Sequence, residues 1–213
     1  MALPFEPLYF DNSFLEDPLQ ALEVENSGLP VSTFNLTDSF LGQVKSMEND
    51  LGKGFNEETQ TWFPHKSVED ASVAGGNDTI AYGHLLSDEE QANGYVYINE
   101  EKVPFSELTT ERADELFLQD WGKATTDAEK WFKGDWKGLT EQNQLLATEL
   151  VFNMGLGKVT EKGKGFPKFK QKAIDNNPDV LNEINRTYKK DGKNVRTGRG
   201  DKIRGYIREL GKT

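Results

Sequence analysis

The chain has 213 residues, no cysteine, two histidines, and 25 basic against 36 acidic side chains. That length buries a sizeable core and fits one domain more readily than two, and the missing cysteines exclude a disulfide framework, thiol catalysis and cysteine-ligated zinc. A net charge of −11 argues against a general nucleic-acid binder, and no apolar run approaches the ~20 residues of a membrane span.

With only His65 and His84 present, a histidine-rich metal site is not expected, and no cofactor is called for. The N-terminus, Met1-Ala-Leu-Pro-Phe-Glu6, lacks the basic stretch of a secretory signal. The charge is unevenly spread. Residues 1–154 hold 9 basic and 29 acidic side chains, while residues 155–213 hold 16 basic and 7 acidic. The basic tail reads either as a solvated surface or as a wall facing an anionic polymer.

Residues 1–34 contain four prolines and little periodicity, and are expected to form an extended leader ahead of a domain over 35–213. Thr37 or Asp38 is placed to cap a helix carrying Phe40, Leu41, Val44 and Met47 at helical spacing. Residues 53–78 are mostly polar, with an aromatic island at Trp62-Phe63-Pro64. Thr79-Ile-Ala-Tyr-Gly-His84 reads as a strand with Thr79 on one face and His84 on the other. Tyr95-Val-Tyr-Ile98 reads as another, paired through a turn near Asn99 with the segment around Val103. A long helix then carries Ala113, Leu116, Phe117, Trp121 and Ala124. A second, opened by Thr140, carries Leu145, Leu146, Leu150, Val151 and Met154 up to Gly155. Residues 166–174 and 201–210 predict two more. The outline is α+β, predominantly helical.

Without cysteine and nearly without histidine, chemistry here falls to carboxylates and hydroxyls. Two carboxylates across a glycosidic bond are one such solution: one donates a proton, the other activates water or stabilises positive charge. The donor needs a partly buried, apolar setting. Glu48, after Met47 and one turn beyond Val44, meets that demand, although a glutamate at a helix end is more often a solvated surface residue. Glu57, Glu58, Glu69 and Asp70 lie in the polar loop. His84 reads as a buried structural histidine with Asp120 as a candidate partner, and Thr79 on the other face can point into a cleft.

Together these segments resemble the phage-type, T4 lysozyme-like lysozymes, over roughly residues 38–210. The resemblance lies in Glu48 at the end of the first helix and in Thr79-Ile-Ala-Tyr-Gly-His-Leu-Leu86, similar to the family's Thr-Ile-Gly-x-Gly-His-Leu-Leu. It continues in Leu116-Phe-Leu-Gln-Asp120, in Val151-Phe-Asn-Met-Gly155 followed by Gly165-Phe166, and in Thr187-Tyr188 with Arg199-Gly-Asp-Lys-Ile-Arg204. It implies a small β-lobe and a helical lobe joined by a long helix, with His84 paired to Asp120. It makes Glu48 the general acid, places Thr79 beside the attacking water, and sets Asn153 and Arg199 on the glycan-facing side. A helix-end Asn153 and a solvated Arg199 are the plainer readings of those two.

One departure is plain. The family places its second acid six residues before the threonine, where this chain has Val73, and 31 positions separate Glu48 from Thr79. Glu69 is the preferred second carboxylate, then Asp70. Alternatively Ser67 stands at that place, with water held by hydroxyls alone.

The resemblance implies a muramidase that hydrolyses the β-1,4 bond between N-acetylmuramic acid and N-acetylglucosamine with inversion. The partners expected are peptidoglycan strands and, through residues 1–34, a virion protein; nucleic acid is not, and the chain is expected to be monomeric. Synthesis in the host cytoplasm and action on the periplasmic wall, as an endolysin or a virion component, follow from the same resemblance. A lytic transglycosylase and a non-catalytic glycan-binding or virion structural module are the competing expectations.

Overall fold

The computed structural model describes residues 32–49, 52–66, 78–162, 166–184, 187–190, 193–196 and 198–210. Glu69, Asp70, Ser67, Val73 and residues 1–31 lie outside them, and with them both candidate second carboxylates and most of the expected leader; Glu57 and Glu58 lie within them and are exposed.

The first helix, α1, runs Ser32–Glu48, so it starts ahead of the caps expected at Thr37 or Asp38 and ahead of the boundary drawn at residue 34. Among its described side chains Phe40 and Val44 are buried, with Leu41 and Met47 partly covered. Two short hairpins follow, β1 (Phe55–Asn56) with β2 (Thr61–Trp62) and β3 (Thr79–Ile80) with β4 (His84–Leu85). The single strand expected over 79–84 is therefore a hairpin. Ile80 pairs with His84 across a turn in which Ala81 and Gly83 have positive φ, 52° and 87°. The alternation expected of one strand breaks there, because left-handed residues reverse the chain rather than extend it.

A short helix α2, Asp88–Asn93, is closed by a capping box between Ser87 and Glu90. Strands β5 (Tyr95–Ile98) and β6 (Glu101–Pro104) pair as expected, around Asn99 and Glu100 at φ 48° and 71°. Helix α3, Thr110–Phe132, is N-capped by Thr109, and α4, Glu141–Met154, by Thr140, with Gly155 at its C-cap. Helices α5 (Leu156–Val159), α6 (Pro167–Ile174) and α7 (Arg199–Leu210) complete the helical part, with a hairpin β7 (Thr187–Lys190) and β8 (Lys193–Arg196) before α7. The fold class is α+β, predominantly helical, with its strands in small antiparallel pairs.

Two apolar clusters organise the chain. The smaller gathers Trp62, Ile80, Leu86, Val96, Ile98, Val103 and Leu108 with Ala113 and Leu116 of α3. The larger gathers Phe40 and Val44 of α1, the rest of the α3 stripe from Phe117 to Phe132, and residues of α4, α6 and α7. One helix thus contributes to both cores, its N-terminal turns to one and its remainder to the other. Helix α1 packs on α4 and α7, in the larger lobe, although it precedes the strands of the smaller one. Tyr82 touches both clusters. Its ring lies 5.3 Å from Trp62 and edge-on to Phe117, and Lys45 Nζ sits 4.7 Å over it while bonding Asp114 at 2.5 Å. No described helix is long and apolar enough to cross a membrane.

Candidate active site

Glu48 owes its direction to the helix that carries it. Phe40, Val44 and Glu48 lie on one i, i+4 row, and burial of the first two fixes the roll of α1 so that Glu48 faces inward. Its side chain is 14% exposed. Its carboxylate accepts from Arg199 Nη2. The next residue, Asn49, ties the end of α1 to the small lobe. Its Nδ2 donates to the carbonyls of Ala81 and Lys53, both at 2.9 Å, while its Oδ1 accepts from the Lys53 amide at 2.8 Å. This brings the β3–β4 turn against the acid: a Cβ on Gly83 would stand 3.2 Å from Glu48 Oε2. Glycine is needed there for both its φ and its lack of side chain.

Arg199, the first residue of α7, is 13% exposed and shared between two acids. Its Nε donates to Glu149 Oε1 at 2.7 Å, and Glu149 on α4 is fully buried. Burial works against the guanidinium charge, but Glu149 and Glu48 outweigh it and hold the Arg199 pKa above its ordinary value. The plainer expectation of a solvated Arg199 is corrected: the side chain is enclosed because it neutralises carboxylates from two other helices.

A groove of about 350 Å³ lies beside Glu48. Its walls are Gly83, His84 and Leu85 of the small lobe, Asp120, Lys123, Ala124 and Asp127 of α3, and Val151 to Asn153 with Gly155 and Leu156. Leu85 is an exposed apolar residue at 65% accessibility. Asn153 lines the groove beside Glu48; Thr79 and Arg199 are not among its lining residues. None of the described basic residues of 155–213 is among them either. Among the described residues the ionisable walls are Glu48, His84, Asp120, Lys123 and Asp127, a mixed to acidic set.

Thr79 pairs with Leu85 across the hairpin and makes both backbone bonds of a bridge to His65, at 2.8 and 2.9 Å. Its Oγ1 donates to the His65 carbonyl at 3.3 Å. Cross-strand partners share a face, so Thr79 lies on the same face of the hairpin as Leu85.

His84 Nδ1 meets Asp120 Oδ2 at 2.6 Å, which is the pairing expected from the sequence. Glu90 Oε1 stands 3.5 Å from Nε2, an ion-pair distance rather than a hydrogen bond. Burial lowers the His84 pKa, but the hydrogen bond and charge of Asp120 with the charge of Glu90 raise it above its ordinary value overall. Glu90 is held below the usual carboxylate range: burial pushes it up, and the Ser87 bonds and His84 outweigh that.

Sequence reasoning missed Glu149, Asn49 and the His65 bridge. Glu149 carried a signal: it falls between Leu146 and Leu150 in a helix whose buried set surrounds it, one turn before Asn153. A charge on an apolar face is the informative exception.

A glutamate held by an arginine beside a groove between two lobes, and a histidine–aspartate pair linking hairpin to long helix, agree with the comparisons. Residues 63–200 match the family described as phage lysozyme. The peptidoglycan hydrolase gp36 of Enterobacteria phage SP6 is 33% identical over 138 residues, 62% of this chain. The chain spans 13% of that relative's length. No solved structure matches the chain. The family match covers well over half of the sequence, and from the aromatic island to the start of α7 the chain belongs to the phage lysozyme family.

Proposed function

We propose that the protein is a peptidoglycan hydrolase, and specifically a muramidase cleaving the β-1,4 bond between N-acetylmuramic acid and N-acetylglucosamine. The observation that carries this is Glu48: a mostly enclosed acid at the rim of a two-lobed groove, beside a glycine that leaves its Oε2 uncrowded. A helix C-terminus also disfavours negative charge, which suits a proton donor.

In the reaction, Glu48 gives its proton to the glycosidic oxygen as the C1–O bond breaks. Water adds its oxygen to C1 and releases a proton to a base, and Glu48 is reprotonated from solvent. Thr79 is proposed to orient that water, with Glu69 as the second carboxylate and Asp70 next. Inversion needs room for the water between the two acids, about 6.5–9.5 Å. Asn153 is proposed as a glycan contact from the groove wall. Arg199 acts behind Glu48 rather than along the groove. The substrate places this activity at the host cell wall, after synthesis in the host cytoplasm, and residues 1–34 are proposed to dock on a virion protein.

The test is clearing of permeabilised Gram-negative cells by the wild type and by Glu48→Gln. Loss of about 10²–10⁴-fold in rate is expected for removal of a general acid. A variant that clears at the wild-type rate rejects Glu48 as the acid. Mass spectrometry of the released muropeptides reads the bond and the outcome: reducing N-acetylmuramic acid ends support hydrolysis, and anhydro ends make the enzyme a transglycosylase.

A further inference from the structure

The α3 wall of the groove is built by Asp120, Lys123, Ala124 and Asp127, at i, i+3, i+4 and i+7 on one face of the helix. Ala124 is short and buried, so the polar edge of that wall belongs to the three charged residues. Among the described lining residues Lys123 is the only lysine or arginine; Glu48, Asp120 and Asp127 are acids, and His84 is turned to Asp120 and Glu90. Both aspartates are engaged elsewhere. Asp127 Oδ1 accepts from Lys130 Nζ at 2.7 Å, and Asp120 Oδ2 meets His84 Nδ1 at 2.6 Å. Lys123 Nζ reaches Asp120 Oδ1 at 3.2 Å, longer than the roughly 2.7–2.9 Å of a good charge-assisted bond. Its side chain is 64% exposed. An ammonium has three donors, and this bond takes one. A groove lined by acids repels an anionic guest. Murein is such a guest, because the peptide stems on its muramic acid residues carry carboxylates.

We propose that Lys123 is a specificity-determining residue for peptide-bearing murein: its ammonium takes a carboxylate of the stem, exchanging the long bond to Asp120 for a pair with the substrate. The inference rests on the reading of this groove as the murein cleft. A compact ammonium on a flexible four-carbon chain suits a carboxylate carried by a mobile peptide, where no fixed fork geometry is demanded. Asp120 keeps His84 on its other oxygen, so the exchange leaves the histidine–aspartate pair in place. The stem takes no part in the bond change at C1. The contact is therefore the same in the ground state and the transition state, and acts on KM rather than kcat.

Lys123→Met keeps a flexible aliphatic chain and removes the charge, at an exposed position where folding is little affected. Two substrates separate charge from shape: soluble murein fragments with native stems, and the same fragments with their stem carboxylates turned into amides by carbodiimide and excess ammonium. Release of reducing ends gives the rates. On native fragments the KM of Lys123→Met is expected to rise about two- to fivefold, the worth of one exposed charge pair, with kcat within about twofold of wild type. On amidated fragments the loss of the charge is expected to bring no such rise. Equal KM for the two enzymes on native fragments, or a rise of the same size on both substrates, overturns the proposal. A wild-type enzyme that fails to cleave native fragments overturns the reading of the groove, and this inference falls with it. If the wild type cleaves them and Lys123→Met matches it on both substrates, only the role of Lys123 is lost.

Discussion

At the scale of single residues, His84 is the clearest link between structure and a measurable property. Its pKa is raised in the folded protein, from an ordinary value of 6.5, because Asp120 and Glu90 stabilise its cation more than burial opposes it. A raised folded value means that the cation's stabilisation is complete below about pH 6.5 and is lost as pH rises through the folded value. His84→Gln should therefore cost about 1–3 kcal/mol at mildly acid pH, the worth of a hydrogen bond to a charged group, and less in alkaline solution. Thermal unfolding of both proteins across pH 5.5–9 checks it, and a gap that widens with rising pH contradicts it. Much of this was legible in the sequence. A histidine two residues past a tyrosine, with a long helix carrying Asp120 to follow, gave the pair. Glu48 was singled out by its place after Met47 and one turn beyond Val44, and its role as acid came from the family resemblance. Glu90 was not, because its part in a capping box is a local role that hides its approach to His84 from another side.

At the scale of elements, α1 is the delicate piece. It bears the proposed acid, and among its described contacts are Phe40 and Val44 in the core, the Lys45–Asp114 pair, Arg199 at its end, and the Asn49 strap. Phe40 is 1% exposed and meets Trp121 and Tyr206 at about 6 Å. Phe40→Ala should cost about 3–5 kcal/mol, the usual range for losing a buried phenylalanine. Activity per folded molecule should fall as well, since the roll of α1 aims Glu48. Denaturant unfolding beside initial lysis rates reads both. Helices α3 and α4 were readable in advance because their stripes run for several turns and each starts at a threonine cap. The hairpin at 79–85 was not, because its reversal rests on φ at Ala81 and Gly83, and a six-residue segment of β-formers looks the same extended or folded back. The short hairpins β1–β2 and β7–β8 gave too little periodicity to be seen.

At the scale of the whole molecule, the two cores differ in how they are secured. The larger one joins helices packed on one another. The smaller one is closed by strands of two to four residues in separate two-stranded pairs, and such pairs are marginal on their own. Native-state hydrogen exchange should show the amides of β1 to β6 opening before those of α3 and α4, through local opening of the small lobe. Equal protection in both lobes contradicts it. Among the described residues, the basic tail seen in the sequence contributes no side chain to the groove. Charge counted along a chain says little about which side chains are used internally, and Arg199 is spent on Glu48 and Glu149.

The ion pair between Glu48 and Arg199 joins positions 151 residues apart. The ribosome delivers α1 early and α7 late, and Glu48 has no Arg199 to meet until then. A chain still being made, or one shortened before α7, has the acid and the groove wall but not the partner that orients the acid. Contacts of such separation also form late in folding, after the loop between them has been closed. Glu48 therefore meets the arginine that orients it only once the chain has been made through the start of α7.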